Sequence, residues 1–178
     1  MGRALRKCTK LEELHLNVSD QIGVLGLNAF PRLRSLSVFH FGSVERAAVR
    51  RFFETSPVPR RLQRLWLHFR HNADRGRTKA VAAGCPNVRH LTLQYDGLDV
   101  PWDLHVILSS MGDLETLVIC EARVPSTVFE GLSSGVLPNL SLLDLYGCSV
   151  SSLILYFFKK IIDFLFLRAL LFCYQVPY

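Results

Sequence analysis

Residues 85–93 read CPNVRHLTL: a Pro86 and Asn87 pair that turns the chain, then Val88, Leu91 and Leu93, apolar residues spaced by three and then by two. Fifty-two residues later, 137–145 read LPNLSLLDL, with Pro138 and Asn139 ahead of Leu140, Leu143 and Leu145. Between them GDLETLVIC at 112–120 carries the same spacing, and FPRLRSLSV at 30–38 carries it earlier. A step of two is the period of an extended segment, in which Leu91 and Leu93 point to one side and His90, Thr92 and Gln94 to the other. The pattern is therefore a turn running into a short half-buried strand.

Matches to L-x-x-L-x-L, or close variants, begin at Leu11, Leu33, Leu62, Val88, Leu114 and Leu140, at spacings of 22, 29, 26, 26 and 26 residues. These fall within the period of leucine-rich repeats, about 20–29 residues. The inward pairs are Leu14 and Leu16, Leu65 and Leu67, Leu91 and Leu93, Leu117 and Ile119, and Leu143 and Leu145. One repeat cannot bury such a face alone, but stacked repeats bury it against each other as a parallel sheet. The returning segments read as short helices: Leu104, Ile107, Leu108 and Met111 share one helical face, as do Val44, Ala48, Val49 and Phe52. Thr127 and Glu130 fit a capping box, and Gly84 fits the position just beyond a helix. The expected architecture is an α/β leucine-rich-repeat solenoid of about six repeats over residues 1–150, a short arc with parallel strands on its concave face and helices on its convex face. The asparagine that often follows the strand in such repeats is absent: Ser19, Phe41, Arg70, Asp96, Ala122 and Cys148 stand in that slot, so no continuous asparagine ladder forms.

The 178 residues are 49% hydrophobic and 20% charged, a globular composition. Five separated cysteines, with no CxxC pair, point to neither a disulfide framework nor a zinc site and fit a reducing compartment. No apolar run of the kind a secretory signal needs follows the basic N-terminus, so the expected location is cytoplasmic or nuclear. The net charge of +6 is unevenly spread: residues 46–79 hold ten Lys or Arg against two acids, and residues 96–144 hold eight acids against Arg123 alone. The basic patch Arg46, Arg50, Arg51, Arg60, Arg61, Arg64 and Arg70 is the basis of an alternative function, binding of nucleic acid or an anionic surface. These arginines are spread over loop, helix and strand, which argues against nucleic acid as the partner.

The residues alternating with the inward leucines form the concave face. One column is His15, Ser37, Trp66, Thr92, Val118 and Asp144; the next is Asn17, Phe39, His68, Gln94, Cys120 and Tyr146. Aromatic side chains beside hydrogen-bonding groups suit a protein-binding surface. The candidate partner-binding residues are His15, Asn17, Phe39, Trp66, His68, Thr92, Gln94, Asp144 and Tyr146, and the competing reading of Trp66 and Phe39 is packing beneath a loop. No catalytic site, metal site or cofactor is expected. The sequence holds no phosphate-binding glycine loop, nucleophile elbow or H-E-x-x-H motif. His68 and His71 lack a third ligand, and Cys120 lies two repeats from His68, roughly 10 Å at the usual strand spacing, too far for a nucleophile and its base.

After Val150 the period fails. Residues 153–173 contain seventeen apolar residues with Lys159, Lys160, Asp163 and Arg168 among them. As a membrane span their apolar gain is very roughly −8 kcal/mol against about +10 to +14 kcal/mol for four central charges, so spanning is disfavoured. Three readings of the apolar tail 151–178 stay open: a helix capping the solenoid, a weak membrane anchor, or non-native sequence from a misread exon boundary.

FPRLRSLSV, CPNVRHLTL, GDLETLVIC and LPNLSLLDLYGC together resemble the leucine-rich-repeat region of F-box/leucine-rich-repeat proteins, especially the divergent fungal type, over residues 8–150. The resemblance implies a substrate receptor of a ubiquitin ligase whose partner is a protein to be ubiquitinated. Because the first repeat already begins at Leu11, there is no F-box here, and a Skp-type adaptor is a partner only if an F-box exists upstream.

Overall fold

Each repeat begins on the same turn. In the computed structural model, which describes residues 8–17, 27, 30–41, 44–69, 75–101, 103–132 and 136–150, the amide of Val88 donates to the carbonyl of Cys85 at 3.3 Å. Leu11 to Cys8, Leu33 to Phe30, Leu62 to Pro59, Leu114 to Met111 and Leu140 to Leu137 repeat this bond. The residue that opens the turn is itself core: Phe30, Pro59, Cys85, Met111 and Leu137 are all buried, while Cys8, at the end of the stack, is exposed. The apolar spacing is thus three, three and two, one position longer than the motif by which the repeats are recognised.

Each turn delivers the chain into a strand: β1 (Glu13–Asn17), β2 (Ser35–Phe39), β3 (Arg64–His68), β4 (His90–Gln94), β5 (Thr116–Cys120) and β7 (Leu142–Asp144), numbered with β6 between the last two. They form a six-stranded sheet in the order β1-β2-β3-β4-β5-β7, every pair parallel. Its register aligns Leu14, Leu36, Leu65, Leu91, Leu117 and Leu143 in one row. Leu16, Val38, Leu67, Leu93 and Ile119 align in another. A slip of one residue would turn both rows to solvent, so core burial holds the register. The rows seal progressively: Leu14 is only partly buried at the open end, whereas Leu67, Leu117 and Ile119 are fully enclosed.

Among the described residues four α-helices cover the back of the sheet: α1 (Arg46–Thr55), α2 (Arg75–Gly84), α3 (Leu104–Leu108) and α4 (Ser126–Leu132). The amphipathic stripes of the first and third are the expected ones, with Val49 and Phe52 buried from α1, and Leu104, Ile107 and Leu108 from α3. One expectation about helix ends is corrected. Gly84 does not lie beyond α2 but is its last residue, and a Cβ there would stand 2.6 Å from the Phe53 carbonyl oxygen, so glycine is needed for close packing on α1. Thr127 and Glu130 lie in the first turns of α4, which begins at Ser126. Beyond the main strands, β6 (Arg123–Val124) pairs in parallel with β8 (Ser149–Val150).

The slot after the strand also differs from expectation. In the two central repeats a residue one position earlier is buried: Phe69, ahead of Arg70, which lies outside the described residues, and Tyr95, ahead of exposed Asp96. Phe41, Phe69 and Tyr95 form a buried aromatic row, with ring centroids 5.4 Å apart edge to face and then 5.1 Å apart stacked. This row occupies the place of an asparagine ladder and binds consecutive repeats by ring contact. Burial is the main cause that pushes the Tyr95 phenol well above its ordinary pKa. Farther along, Ala122 and Cys148 fill the slot, and the Cys148 thiol donates to the Ile119 carbonyl at 3.1 Å.

Asparagine does work between repeats, but at the opposite end of the strands. Asn87 Nδ2 donates to the Arg60 carbonyl at 2.6 Å and Asn139 Nδ2 to the Gly112 carbonyl at 2.7 Å, each reaching back to the preceding repeat. Arg61 does the same with its guanidinium, donating to the Pro31 carbonyl at 2.6 Å. The proline–asparagine pair of CPNV and LPNL is therefore a turn and a clasp together.

Candidate functional site

The solvent face of the sheet is built by the parallel register alone. It lines up His15, Ser37, Trp66, Thr92, Val118 and Asp144 across six strands. Phe39 ends β2 in register with Asn17 of β1, and His68, Gln94 and Cys120 align on β3, β4 and β5. Tyr146 lies in the turn after β7 and is 56% exposed.

These residues do not form one uniform patch. Phe39, Trp66 and His68 make an aromatic cluster: Phe39 meets Trp66 edge-on at 4.3 Å between centroids, and the Trp66 and His68 rings lie 6.5 Å apart and nearly parallel. Both Trp66 and Phe39 remain half-buried. His68 is largely enclosed, with Nε2 2.8 Å from Asp96 Oδ2 and its ring centroid 5.4 Å from that of His40. His40, which the period did not single out, joins this cluster, as does Asp96, which the period placed only in the slot after the strand. Each adopts a left-handed turn just past its strand, at φ 57° and 47° respectively, which folds its side chain back toward the face. The Asp96–Gly97 dipeptide was the available signal, since such pairs mark tight turns.

The far side of the face is acidic. Gln94 Nε2 lies 3.5 Å from Asp96 Oδ1 and 3.4 Å from Glu121 Oε2, bridging two carboxylates. The Cys120 thiol is pushed up to about 11, by burial first and then by Asp144 and Glu121. A thiol so raised is a poor nucleophile at neutral pH, and β4 separates it from His68. Among the described residues no group of three His, Cys, Asp or Glu side chains is placed to hold a metal ion. His15 and Asn17 stand apart on β1, both exposed, with His15 Nε2 3.5 Å from Glu13.

The fold divides the basic run. Arg46, Arg50 and Arg51 ride on α1 at the back of the sheet, where Arg50 pairs with Glu54 at 2.7 Å. Arg60 and Arg61 occupy a short helical turn ahead of β3, and Arg64 is the first, exposed residue of that strand. Arg70 lies outside the described residues. Two further members of the run are structural: Arg77 is buried and donates twice to the Val44 carbonyl, and Arg75 pairs with buried Asp103. The guanidinium of Arg75 holds the Asp103 carboxyl below the usual carboxylate range.

Charge is consequently sorted across the strands as well as along the chain. At the N-terminal edge of the sheet Arg34, Arg60, Arg61, Arg64 and Arg89 serve the three strands β2, β3 and β4, with Glu12 and Glu13 at β1 and Asp113 and Glu115 at β5 on either side, while Asp96, Asp99, Glu121 and Arg123 lie at the C-terminal edge. Among the described residues no helix is long and apolar enough to cross a membrane, and the tail 151–178 lies outside them.

No protein-family model matches this sequence, and no curated protein matches it either. Among solved structures, the chain is similar to an internalin (inlF) from Listeria monocytogenes, with a TM-score of 0.51 and 12% identity over 93% of this chain. The chain spans 48% of the length of that structure. At this identity the likeness speaks for the fold, which agrees with the parallel sheet, the helical backing and the repeat period: the chain is an α/β leucine-rich-repeat solenoid.

Proposed function

We propose that this chain is a non-catalytic protein-recognition module that binds its partner on the concave sheet face. The observation that carries this reading is the aromatic cluster of half-buried Phe39 and Trp66 with His68, set beside carboxylates on the parallel sheet. Rigid aromatic groups with one flank exposed supply most hot-spot energy at interfaces. The acidic side, Asp96, Glu121 and Asp144, suits a partner segment whose apolar anchor is followed by basic residues. Cytoplasm or nucleus is the location that goes with this reading, and a protein is its partner.

In its finer form the module is the substrate receptor of an F-box-like ubiquitin ligase, which rests on the resemblance of the repeats to that family. It then needs an F-box upstream and a Skp-type adaptor. The full transcript tests that form directly: an upstream F-box that captures the adaptor supports it, and a transcript without one removes it.

The recognition reading is tested by affinity capture with the full chain, followed by measurement of Kd for the captured partner. Replacing Trp66 and His68 together by Ala is expected to weaken binding roughly 30-fold or more, the scale of a hot-spot pair. Arg50→Gln with Arg51→Gln, on the opposite face, is expected to leave it within about threefold. Unchanged binding by a folded Trp66→Ala, His68→Ala variant sinks the proposal.

A further inference from the structure

A second surface lies outside the concave face. At the N-terminal edge of the sheet a cleft of about 550 Å³ is lined by Arg32, Arg34, Arg60, Arg61 and Arg89, with Gln63 and Asn87 between them and Glu12 and Asp113 also on its walls. It is built by the repeat itself. Arg34, Gln63 and Arg89 each occupy the position after the first apolar residue of their repeat, and the amide of Gln63 donates to the Arg34 carbonyl at 2.8 Å, as that of Arg89 does to the Gln63 carbonyl. They therefore stand in line just ahead of the adjacent strands β2, β3 and β4, Arg34 and Arg89 roughly 10 Å apart across the sheet. Arg32 and Arg61 come from the turns just ahead.

Five guanidiniums share this cleft with two carboxylates. Arg89 reaches Glu115 at 3.4 Å in an exposed pair, and Arg61 is anchored on the Pro31 carbonyl. Among the described residues no carboxylate pairs with Arg32, Arg34 or Arg60. Like charges gathered this way repel, and an anion seated between them removes the cost while accepting their planar, forked donors two at a time. The clasps of Arg61 and Asn87 on neighbouring carbonyls hold the walls before any ligand arrives, so little ordering is needed on binding. Length discriminates among anions. The basic stretch covers three strands, with Glu12 belonging to the repeat before it and Asp113 to the repeat after it. A long nucleic-acid strand must run past those carboxylates, whereas a short chain of linked phosphoryl groups fits between them.

We propose that this cleft binds a small soluble polyphosphate, with Arg34 and Arg89 gripping it from either side of Gln63, Arg32 and Arg60 closing over it and Arg61 held in the wall. The site is independent of the concave-face reading and stands if that reading fails. Calorimetric titration of the full chain with inorganic tripolyphosphate at 150 mM KCl tests it, with orthophosphate, sulfate and a single-stranded RNA as parallel titrants. Tripolyphosphate is expected to bind at least tenfold more tightly than orthophosphate or sulfate. Arg34→Gln and Arg89→Gln are each expected to lose roughly tenfold or more, the scale of a charge-assisted hydrogen bond. Arg50→Gln with Arg51→Gln on α1 removes two charges outside the cleft, one more than either cleft variant, and is still expected to change affinity by less than threefold. Melting curves establish that the variants, all at exposed positions, are folded. Absence of saturable tripolyphosphate binding, equal losses from the α1 variant, or tighter binding of RNA overturns the proposal.

Discussion

Gly84→Ala sets two effects against each other, and the structure decides which wins. Alanine is the better helix former by up to about 1 kcal/mol in a helix interior, and by less at the last helical residue, where Gly84 stands. Propensity alone therefore predicts a small gain in stability. Packing predicts the reverse. The added Cβ would lie 2.6 Å from the Phe53 carbonyl oxygen, 2.8 Å from the Phe53 Cβ and 3.0 Å from its carbonyl carbon. Ordinary contact begins at 3.4 Å, so α2 and α1 must separate by about 0.8 Å, and the obstacle is largely backbone, which has no rotamer to change. That shift loosens Val49, Phe52 and Phe53 against Val81 and Ala82, all of them buried. Overpacking of this kind costs about 1–3 kcal/mol, and a backbone clash belongs at the upper end. The net expectation is a loss of about 2 kcal/mol, which lowers Tm by roughly 4–8 °C for a chain of this size. Thermal melting followed by circular dichroism, with urea denaturation in parallel, measures it. Gly112→Ala is the control, because a Cβ there meets nothing within 4 Å, and it should be neutral or slightly stabilising. A Gly84→Ala protein that melts at or above the wild-type temperature refutes the close approach of α1 and α2.

Two further outcomes follow from titrating groups. Arg75 depresses the pKa of buried Asp103, so this pair contributes stability that is complete above the ordinary Asp value near 3.8 and is lost as pH falls through the lowered folded value. Asp103→Asn should therefore be less stable than wild type at neutral pH and show a shallower loss in urea midpoint between pH 5 and pH 2; equal acid slopes would contradict the pairing. With its thiol at about 11, Cys120 is roughly one part in a thousand thiolate at pH 8. In the native protein iodoacetamide should modify exposed Cys8 first and Cys120 slowly, the Cys120 rate climbing about tenfold per pH unit toward pH 10. Mass spectrometry of the labelled peptides reads both, and Cys120 labelling as fast as Cys8 at pH 8 would show the face to be more open than described.

Much of this architecture is legible in spacing. The strands at 90–94 and 116–120 coincide with the alternating segments of CPNVRHLTL and GDLETLVIC, and the column from His15 to Asp144 read by counting is a row of the register, while Tyr146 of the second column falls in the turn after β7. Counting succeeds because each repeat must point the same two residues inward, so sequence position and sheet position are locked together. It stops at the strand ends. LWLHF and LTLQY carry the alternation one step farther than LVICE and LDLYG, so Phe69 and Tyr95 turn inward one position ahead of the slot assigned to Arg70 and Asp96. The buried column of Phe30, Cys85 and Met111 escaped notice because its chemistry varies while its burial does not.

By itself, then, the sequence determined the period, the parallel register and the set of side chains offered to solvent on the sheet, because those follow from alternation and from the need of every repeat to bury the same face. Only the tertiary structure decided which of those side chains meet. His40 and Asp96 reach His68 through left-handed turns that spacing does not encode. Arg32, Arg34 and Arg89 join Arg60 and Arg61 because a solenoid places equivalent positions of separate repeats about 5 Å apart, however many residues lie between them. Contact across repeats depends on where the chain returns, and that is a property of the packed stack.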